Sequence, residues 1–198
     1  VFGMSHILAD GKGFLQYLYL LAALYNGENL EIHNKREIAS VLKGIHVGRQ
    51  TMRIRYGKAP ATQPLRSQSQ CKNFFCLCNS ISENDFTAIR TKAKYSHATL
   101  NDVFMAAYAR VIARRQSVRQ VAISCPADLR RFHPMSDTLT VANMTGIYRE
   151  IPVDVSPDDR FSRTLSQISI EMNLQKSRRR CFSGIPLLSW AYPKFPRW

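Results

Sequence analysis

The feature that most constrains the fold is the alternation of strand-like apolar runs with amphipathic, well-capped helices. Helices are predicted over 12–25, from Ser82, from Thr99 and over 160–176, and strands over 120–125 and 140–153. Two further strands, over 1–4 and 73–79, and a short helix over 36–42 complete the pattern. Because each element must bury an apolar face against another layer, this order predicts a mixed α/β domain, a sheet with flanking helices.

Each longer helix carries an apolar stripe that predicts its buried face. Thr99 is a favourable N-cap, and Gly27 is predicted to end the first helix. The three stripes are Phe14, Leu18, Leu21 and Tyr25; Leu100, Val103, Ala107 and Val111; and Phe161, Leu165, Ile168 and Met172.

The candidate catalytic residue is His6, which lies at the predicted strand-to-helix junction and is followed, after three spacers, by Asp10 and Gly11. An imidazole loses its proton near neutral pH, so His6 could act as a general base. Asp10 could orient the ring directly, as in a catalytic triad, or it could hold the loop that carries the ring. Gly11 and Gly13 suit a tight turn that brings the backbone close to a reaction channel.

Four segments in this order resemble the condensation-domain and chloramphenicol acetyltransferase-like superfamily. Many members begin the first motif with two histidines, of which the second is reactive; here Ser5 fills the first position and His6 the second. The fourth segment is similar to a strand of alcohol acetyltransferase-like members. The segments are H-x-x-x-D-G at 6–11, ATLNDVFMAA at 98–107, VAISCPADLR at 121–130 and VANMTG at 141–146.

The resemblance implies an acyltransferase that moves an acyl group to a hydroxyl or amine of a small-molecule acceptor, with His6 as general base. The expected donor is acyl-CoA or a phosphopantetheine thioester on an acyl carrier protein, as in nonribosomal peptide synthesis. This thioester is a co-substrate, and the resemblance implies neither a permanently bound cofactor nor a metal.

The resemblance also assigns roles to other residues. Asp10 is expected to turn away from His6 and to pair with a distant arginine, fixing the loop together with Gly11. Arg130 is the candidate partner, and Arg131 is the alternative. Asn143 either donates a hydrogen bond to the substrate or simply ends its strand.

The implied fold is incomplete and consists mainly of the C-terminal lobe. Residues 1–46 would end the N-terminal lobe, 47–70 would connect the lobes, and 71–198 would form part of the C-terminal lobe. Since the histidine loop of the superfamily follows a complete N-terminal lobe, the chain is expected to be a fragment or one half of an assembly. Whether it is active by itself is then an open question.

Charge supports two alternative functions. With 28 Lys and Arg against 14 Asp and Glu, the net charge is +14, which attracts polyanions. The arginine clusters at 114–115, 130–131 and 178–180 lack interleaved aromatic residues and are predicted to be solvated, or to attract the phosphates of the donor. The alternatives to the enzyme are a noncatalytic condensation-like docking module and, less favoured, a basic nucleic-acid-binding protein.

The cysteines and the remaining histidines do not indicate a further catalytic or metal site. Five cysteines, an odd number, without a recognisable secretory signal predict the reducing cytoplasm, and no apolar run is long enough for a membrane span. The C-x4-C-x-C pattern matches no common zinc spacing. The residues concerned are Cys71, Cys76 and Cys78, and the histidines expected at the surface are His33, His46, His97 and His133.

Overall fold

The computed structural model describes residues 2–30, 77–132, 140–156, 158–183 and 185. The chain divides into two compact units. The described residues of the first unit come from 1–54, 125–148 and 178–198, and those of the second from 55–124 and 149–177.

Helix α1 (Gly11–Tyr25) belongs to the first unit and begins at the motif aspartate. The carboxylate of Asp10 accepts a hydrogen bond from the Gly13 backbone N–H at 2.8 Å, which satisfies a donor that the first helical turn leaves unpaired. The helix ends at Tyr25 with Asn26 as its C-cap, and Gly27 follows with φ of +74°, a left-handed conformation that glycine adopts readily. The predicted helix and its glycine stop are confirmed.

Helices α2 (Glu83–Tyr95) and α3 (Leu100–Gln116) lie in the second unit and begin at the predicted caps. The Ser82 hydroxyl accepts a hydrogen bond from the Asp85 N–H at 3.1 Å. At α3, the Thr99 hydroxyl accepts from the Asp102 N–H at 3.2 Å, and the Asp102 carboxylate accepts from the Thr99 N–H at 2.8 Å. This reciprocal capping box fixes the start of α3.

Helix α4 (Phe161–Ser177) packs against α3 within the second unit. Its residues Leu165, Ile168 and Met172 are buried as predicted, whereas Phe161, in the first turn, is exposed. No helix in the described ranges is both long enough and apolar enough to cross a membrane.

Strands β1 (Gln120–Asp128) and β2 (Thr145–Asp154) form a two-stranded antiparallel sheet. A short 3-10 turn, Leu129–Phe132, follows β1 directly. Residues alternate between buried and solvent-facing positions along β1, as expected for a sheet with one covered face. The covered positions are Val121, Ile123, Cys125 and Ala127.

The alternation in β2 changes phase near its middle. Residues 149–150 are both exposed, and the second has φ of +52°. At one end of the sheet Leu129 N–H donates to Met144 O, whereas at the other end Val155 N–H donates to Arg119 O. These pairings leave one more residue in β2 than in β1, so β2 contains a β-bulge.

The buried faces of α1 and α3 differ from the predicted stripes. In α1, Gly13, Gln16 and Ala23 are buried, whereas Tyr25 is 92% exposed. In α3, Val111 is exposed, and the buried positions are Asp102, Met105, Ala106, Ala109, Ile112 and Ala113. Small side chains permit close approach to neighbouring backbone, and Asp102 and Gln16 are drawn inward by their own hydrogen bonds. The stripe predictions were therefore wrong at Tyr25, Ala107 and Val111, whereas the other predicted positions are half-buried.

Strand predictions need three corrections. Residues 2–4 are irregular rather than extended in a sheet, as are the described positions 77–79 of the strand predicted at 73–79. A strand requires a hydrogen-bonded neighbour. In the described part of the chain, β1 and β2 pair with each other in a two-stranded sheet that does not include residues 2–4 or 77–79. The last predicted strand begins at Thr145 rather than at residue 140. The predicted helix at 36–42 and the connection at 47–70 lie outside the described residues, and the proposed domain boundaries stay predictions.

Candidate active site

His6 lies in a turn at residues 6–8, immediately before α1 in the first unit. The Leu8 N–H donates to the Ser5 carbonyl at 2.9 Å, and the Ile7 N–H donates to the Ser5 hydroxyl at 3.4 Å. His6 itself is exposed. The turn therefore leaves the His6 side chain exposed instead of burying it.

Asn143 holds this turn through its backbone. Its side-chain amide donates a hydrogen bond to the His6 carbonyl oxygen at 2.8 Å. The side-chain oxygen of Asn143 accepts a longer hydrogen bond from the Thr145 N–H at 3.4 Å. The geometry gives Asn143 a positioning contact with the histidine turn, and its predicted contact with substrate stays a prediction.

Asp10 collects four hydrogen bonds on one buried carboxylate, which is 6% exposed. Its Oδ1 accepts from the Gly13 N–H at 2.8 Å. Its Oδ2 accepts from Arg130 Nη1 at 2.9 Å, from the Met144 N–H at 2.8 Å and from the Thr145 hydroxyl at 3.2 Å. Asp10 thus joins the start of α1 to the segments around residues 130 and 144.

Arg130 is 3% exposed and completes the network from the other side. Its Nη1 also donates to Asp128 at 3.0 Å, and its Nη2 donates to the Ala142 carbonyl. The neighbouring Arg131 is exposed. Of the two candidate arginines, Arg130 is the one that contacts Asp10, and no described hydrogen bond joins the Asp10 carboxylate to the His6 ring.

Burial and ion pairing act in opposite directions on these two groups. Burial alone would raise the pKa of Asp10, but the hydrogen bonds from Arg130, Gly13 and Met144 outweigh it and hold the pKa below its usual range. Burial would likewise lower the pKa of Arg130, but Asp10 and Asp128 raise it above the ordinary value. Both side chains are therefore charged at neutral pH.

Asp10→Asn should remove the part of the free energy of unfolding that the wild type itself loses at acid pH. The folded-state pKa of Asp10 lies below the unfolded value of about 4, so its stabilisation is complete above that value and is lost as pH falls through the lower folded value. We expect the wild-type advantage in free energy of unfolding over Asp10→Asn to shrink through this acid window. Urea denaturation at neutral and acid pH measures it.

Asp158→Asn is the matched control, because Asp158 is exposed. Its effect on the free energy of unfolding should be small. An advantage over Asp10→Asn that stays constant down to the most acid pH would contradict the lowered pKa of Asp10.

Gly13 faces the backbone of Ala142 and the guanidinium of Arg130. An added Cβ would overlap the Ala142 carbonyl oxygen and lie 3.1 Å from Arg130 Nη2. Alanine normally stabilises a helix by about 1 kcal/mol relative to glycine. Here we expect the opposite sign, with Gly13→Ala destabilising by about 1–3 kcal/mol through overpacking.

Gly11→Ala tests this prediction from the same helical turn. A Cβ at Gly11 would meet no atom within 4 Å, so chemical denaturation should show an unchanged or slightly raised stability. Equal effects of Gly11→Ala and Gly13→Ala would contradict the close approach at Gly13. The predicted structural role of Gly11 stays a prediction, because no packing contact at that position requires glycine.

The remaining predicted sites are dispersed. His97 is exposed, whereas His33, His46 and His133 lie outside the described residues. No group of three or more metal-ligating side chains occurs within the described ranges. The expectation of wholly solvated arginine clusters is wrong for two members, since Arg130 is 3% exposed and Arg180 is 5% exposed. Cys125 and Cys181 are buried and Cys78 is exposed, all three as thiols, while Cys71 and Cys76 lie outside the described part.

Sequence reasoning missed Gln16, which contributes to the same region. Its side-chain oxygen accepts a hydrogen bond from the Thr140 N–H at 3.1 Å, and Gln16 is buried. Gln16 interrupts an apolar run three residues after Gly13. A polar residue on the same helical face as a glycine is the signal that would have indicated this contact.

Comparisons with known proteins give a match in structure. No family model matches the sequence, and no curated protein matches it. The first condensation domain of the calcium-dependent antibiotic synthetase, in complex with substrate analogue 3a, matches with a TM-score of 0.59 and 16% identity, over 88% of this chain and 42% of that one.

Two further structures agree with this match. The same domain in complex with substrate analogue 2a gives a TM-score of 0.57 and 18% identity, over 90% of this chain and 44% of that one. Crystal structures of the first condensation domain of the CDA synthetase give 0.54 and 19%, over 88% and 42%. The chain spans less than half the length of the chains it matches.

At these identities the matches establish the fold. They confirm the predicted mixed α/β architecture and the predicted likeness to a condensation-domain fold. The described helices and two-stranded sheet correspond in fold to part of a larger domain. The chain is therefore condensation-domain-like, with a partial chloramphenicol acetyltransferase-like fold.

Proposed function

We propose that this chain carries the histidine loop of an acyltransferase of the condensation type. The acyl group would pass from a thioester of coenzyme A or of a carrier-protein phosphopantetheine to a hydroxyl or amine acceptor. His6 would act as the general base. The condensation-domain-like fold supports the reaction class, and the choice of donor and of acceptor belongs to the proposal.

The observation that carries the proposal is that Asp10 bonds to the scaffold whereas the side chain of His6 is exposed. All four described hydrogen bonds to the Asp10 carboxylate serve the scaffold, and the strongest electrostatic partner is Arg130. His6 is exposed, and among the described residues its one side-chain partner is Asn143, which bonds to its backbone carbonyl. This arrangement fixes a loop while leaving an imidazole accessible to a ligand, as general-base catalysis requires.

The proposed chemistry needs no covalent intermediate with the protein. As the acceptor oxygen or nitrogen attacks the thioester carbonyl, its proton passes to His6. The bond from carbonyl carbon to sulfur then breaks, and the proton on His6 neutralises the departing thiolate. The products are an ester or amide and a free thiol.

The direct test is a transfer assay on the complete natural protein that carries this chain. Acyl-CoA and an acyl N-acetylcysteamine thioester would serve as donors, with a panel of simple amines and alcohols as acceptors. We expect equal amounts of released thiol and acylated acceptor. Thiol release without acylated acceptor, or no turnover with any pair while the protein is folded, would overturn the proposal.

A second candidate function, a noncatalytic docking module, is favoured by one observation. Large apolar side chains near the histidine turn and along α1 are exposed, including Ile7 at 88%, Leu8 at 60% and Tyr19 at 68%. Exposed apolar side chains in such number are typical of surfaces that contact another protein segment. The transfer assay separates the two functions, because a docking module would bind partners without turnover.

A further inference from the structure

The second unit contains a cavity of about 650 Å³ between the end of α3 and the segment after β2. The described residues that line it belong to this unit, whereas the Asp10 and Arg130 network belongs to the first unit. Its described lining comprises Arg110, Val111, Ala113, Arg114, Ser117, Val118, Arg119, Val155 and Ser156. The cavity is therefore built from residues that the proposed reaction does not use.

The charge of the cavity is one-sided. Three of the described lining residues are arginines, Arg110, Arg114 and Arg119, and none of the described lining residues is acidic. The Asp159 carboxylate accepts a hydrogen bond from the N–H of the lining residue Ser156 at 3.2 Å, and the Arg163 guanidinium, 2.9 Å away, offsets its charge. A guanidinium offers several N–H donors in a fixed plane that matches the oxygens of a phosphate.

Hydrogen bonds hold the walls of the cavity in place. Arg110 Nη1 donates to the hydroxyl of Thr164, a fully buried residue of α4, at 3.1 Å. The Val155 N–H donates to the Arg119 carbonyl at 2.7 Å and ties the two walls together. A guanidinium anchored in this way loses less conformational freedom on binding an anion than a free surface side chain would.

Most of the other described lining residues are apolar, namely the valines at positions 111, 118 and 155 and Ala113. Serines 117 and 156 add two hydroxyls. A volume of several hundred Å³ with apolar walls suits an organic molecule better than a bare ion. We propose that this cavity binds a phosphate monoester, with the phosphate held by Arg110, Arg114 and Arg119 and the organic part packed against the valines.

Isothermal titration of the 198-residue chain with phenyl phosphate tests the proposal. We expect saturable binding with one site. The triple variant Arg110→Gln, Arg114→Gln, Arg119→Gln should weaken the affinity by about tenfold or more, because charge-assisted hydrogen bonds are lost. The matched control, Arg90→Gln, Lys94→Gln, Arg178→Gln, removes the same charge at exposed positions and should change the affinity less than about twofold.

Val111→Glu keeps the test decisive if the triple variant fails to fold. Val111 lines the cavity and is 51% exposed, so a carboxylate there should be tolerated by the fold and should repel the phosphate. Equal weakening in the lining and control variants would show attraction by net charge alone and would overturn the proposal. Benzoate binding as tightly as phenyl phosphate, or unchanged binding by Val111→Glu, would also overturn it.

Discussion

Replacing His6 with alanine should lower kcat/KM for acyl transfer by about 10²–10⁴-fold, the usual contribution of a positioned general base. Because His6 is exposed and its described hydrogen bond with Asn143 uses the backbone carbonyl, the same change should alter the free energy of unfolding by less than about 0.5 kcal/mol. The measurement is a transfer assay on the complete natural protein, accompanied by denaturation of the same preparations.

Lys12→Ala is the matched control for His6→Ala. Lys12 is exposed in the same motif, and its replacement should leave turnover within about twofold of the wild type. A pH–rate profile of the wild type that is lost in His6→Ala would identify proton removal as the function lost. Unchanged turnover in His6→Ala would eliminate the general-base role.

Replacing Arg130 with methionine should lower the free energy of unfolding by about 3–5 kcal/mol, the cost of leaving a buried charge without its partner. Asp10 would keep its backbone donors but lose the guanidinium, and the Ala142 carbonyl would also lose a donor. Urea denaturation at neutral pH measures the change. Arg131→Met is the control, since this neighbour is exposed and should cost less than about 0.5 kcal/mol.

A double-mutant cycle separates the ion pair from simple packing loss. In the double variant Asp10→Asn, Arg130→Met, no buried charge is left unpaired, so stability should recover part of the loss seen in Arg130→Met. We expect a coupling free energy of at least about 1 kcal/mol between positions 10 and 130. Strictly additive losses would show that the contact between Asp10 and Arg130 contributes no stability of its own.

Local sequence signals predicted the described helices well, because caps use residues adjacent in the chain. Ser82 and Thr99 cap α2 and α3 as expected, and Gly27 ends α1. Which face of α1 or α3 is buried depends on the residues packed against the helix. The spacing of apolar residues within the helix does not identify those residues. The small residues of α3 face inward, while the bulky Tyr108 is 53% exposed.

The candidate site, too, was predicted only in part from the sequence. The motif indicated the candidate base and a structural aspartate, and the resemblance named Arg130 as its partner with the adjacent Arg131 as the alternative. Both arginines lie in the 3-10 turn Leu129–Phe132. Successive residues of a 3-10 helix point about 120° apart, so the two side chains face different directions. Arg130 is directed inward and Arg131 outward. The role of Asp10 as N-cap of α1 was also readable, since aspartate is a preferred capping residue.

The sequence separation of the partners of Asp10 has a consequence for biosynthesis. Arg130, Met144 and Thr145 lie 120, 134 and 135 residues downstream of the carboxylate they bind. During synthesis at the ribosome, the histidine turn therefore emerges long before the groups that hold it. Until about residue 145 has left the exit tunnel, the Asp10 carboxylate lacks three of its four partners, so the contacts that hold the histidine turn form late in synthesis.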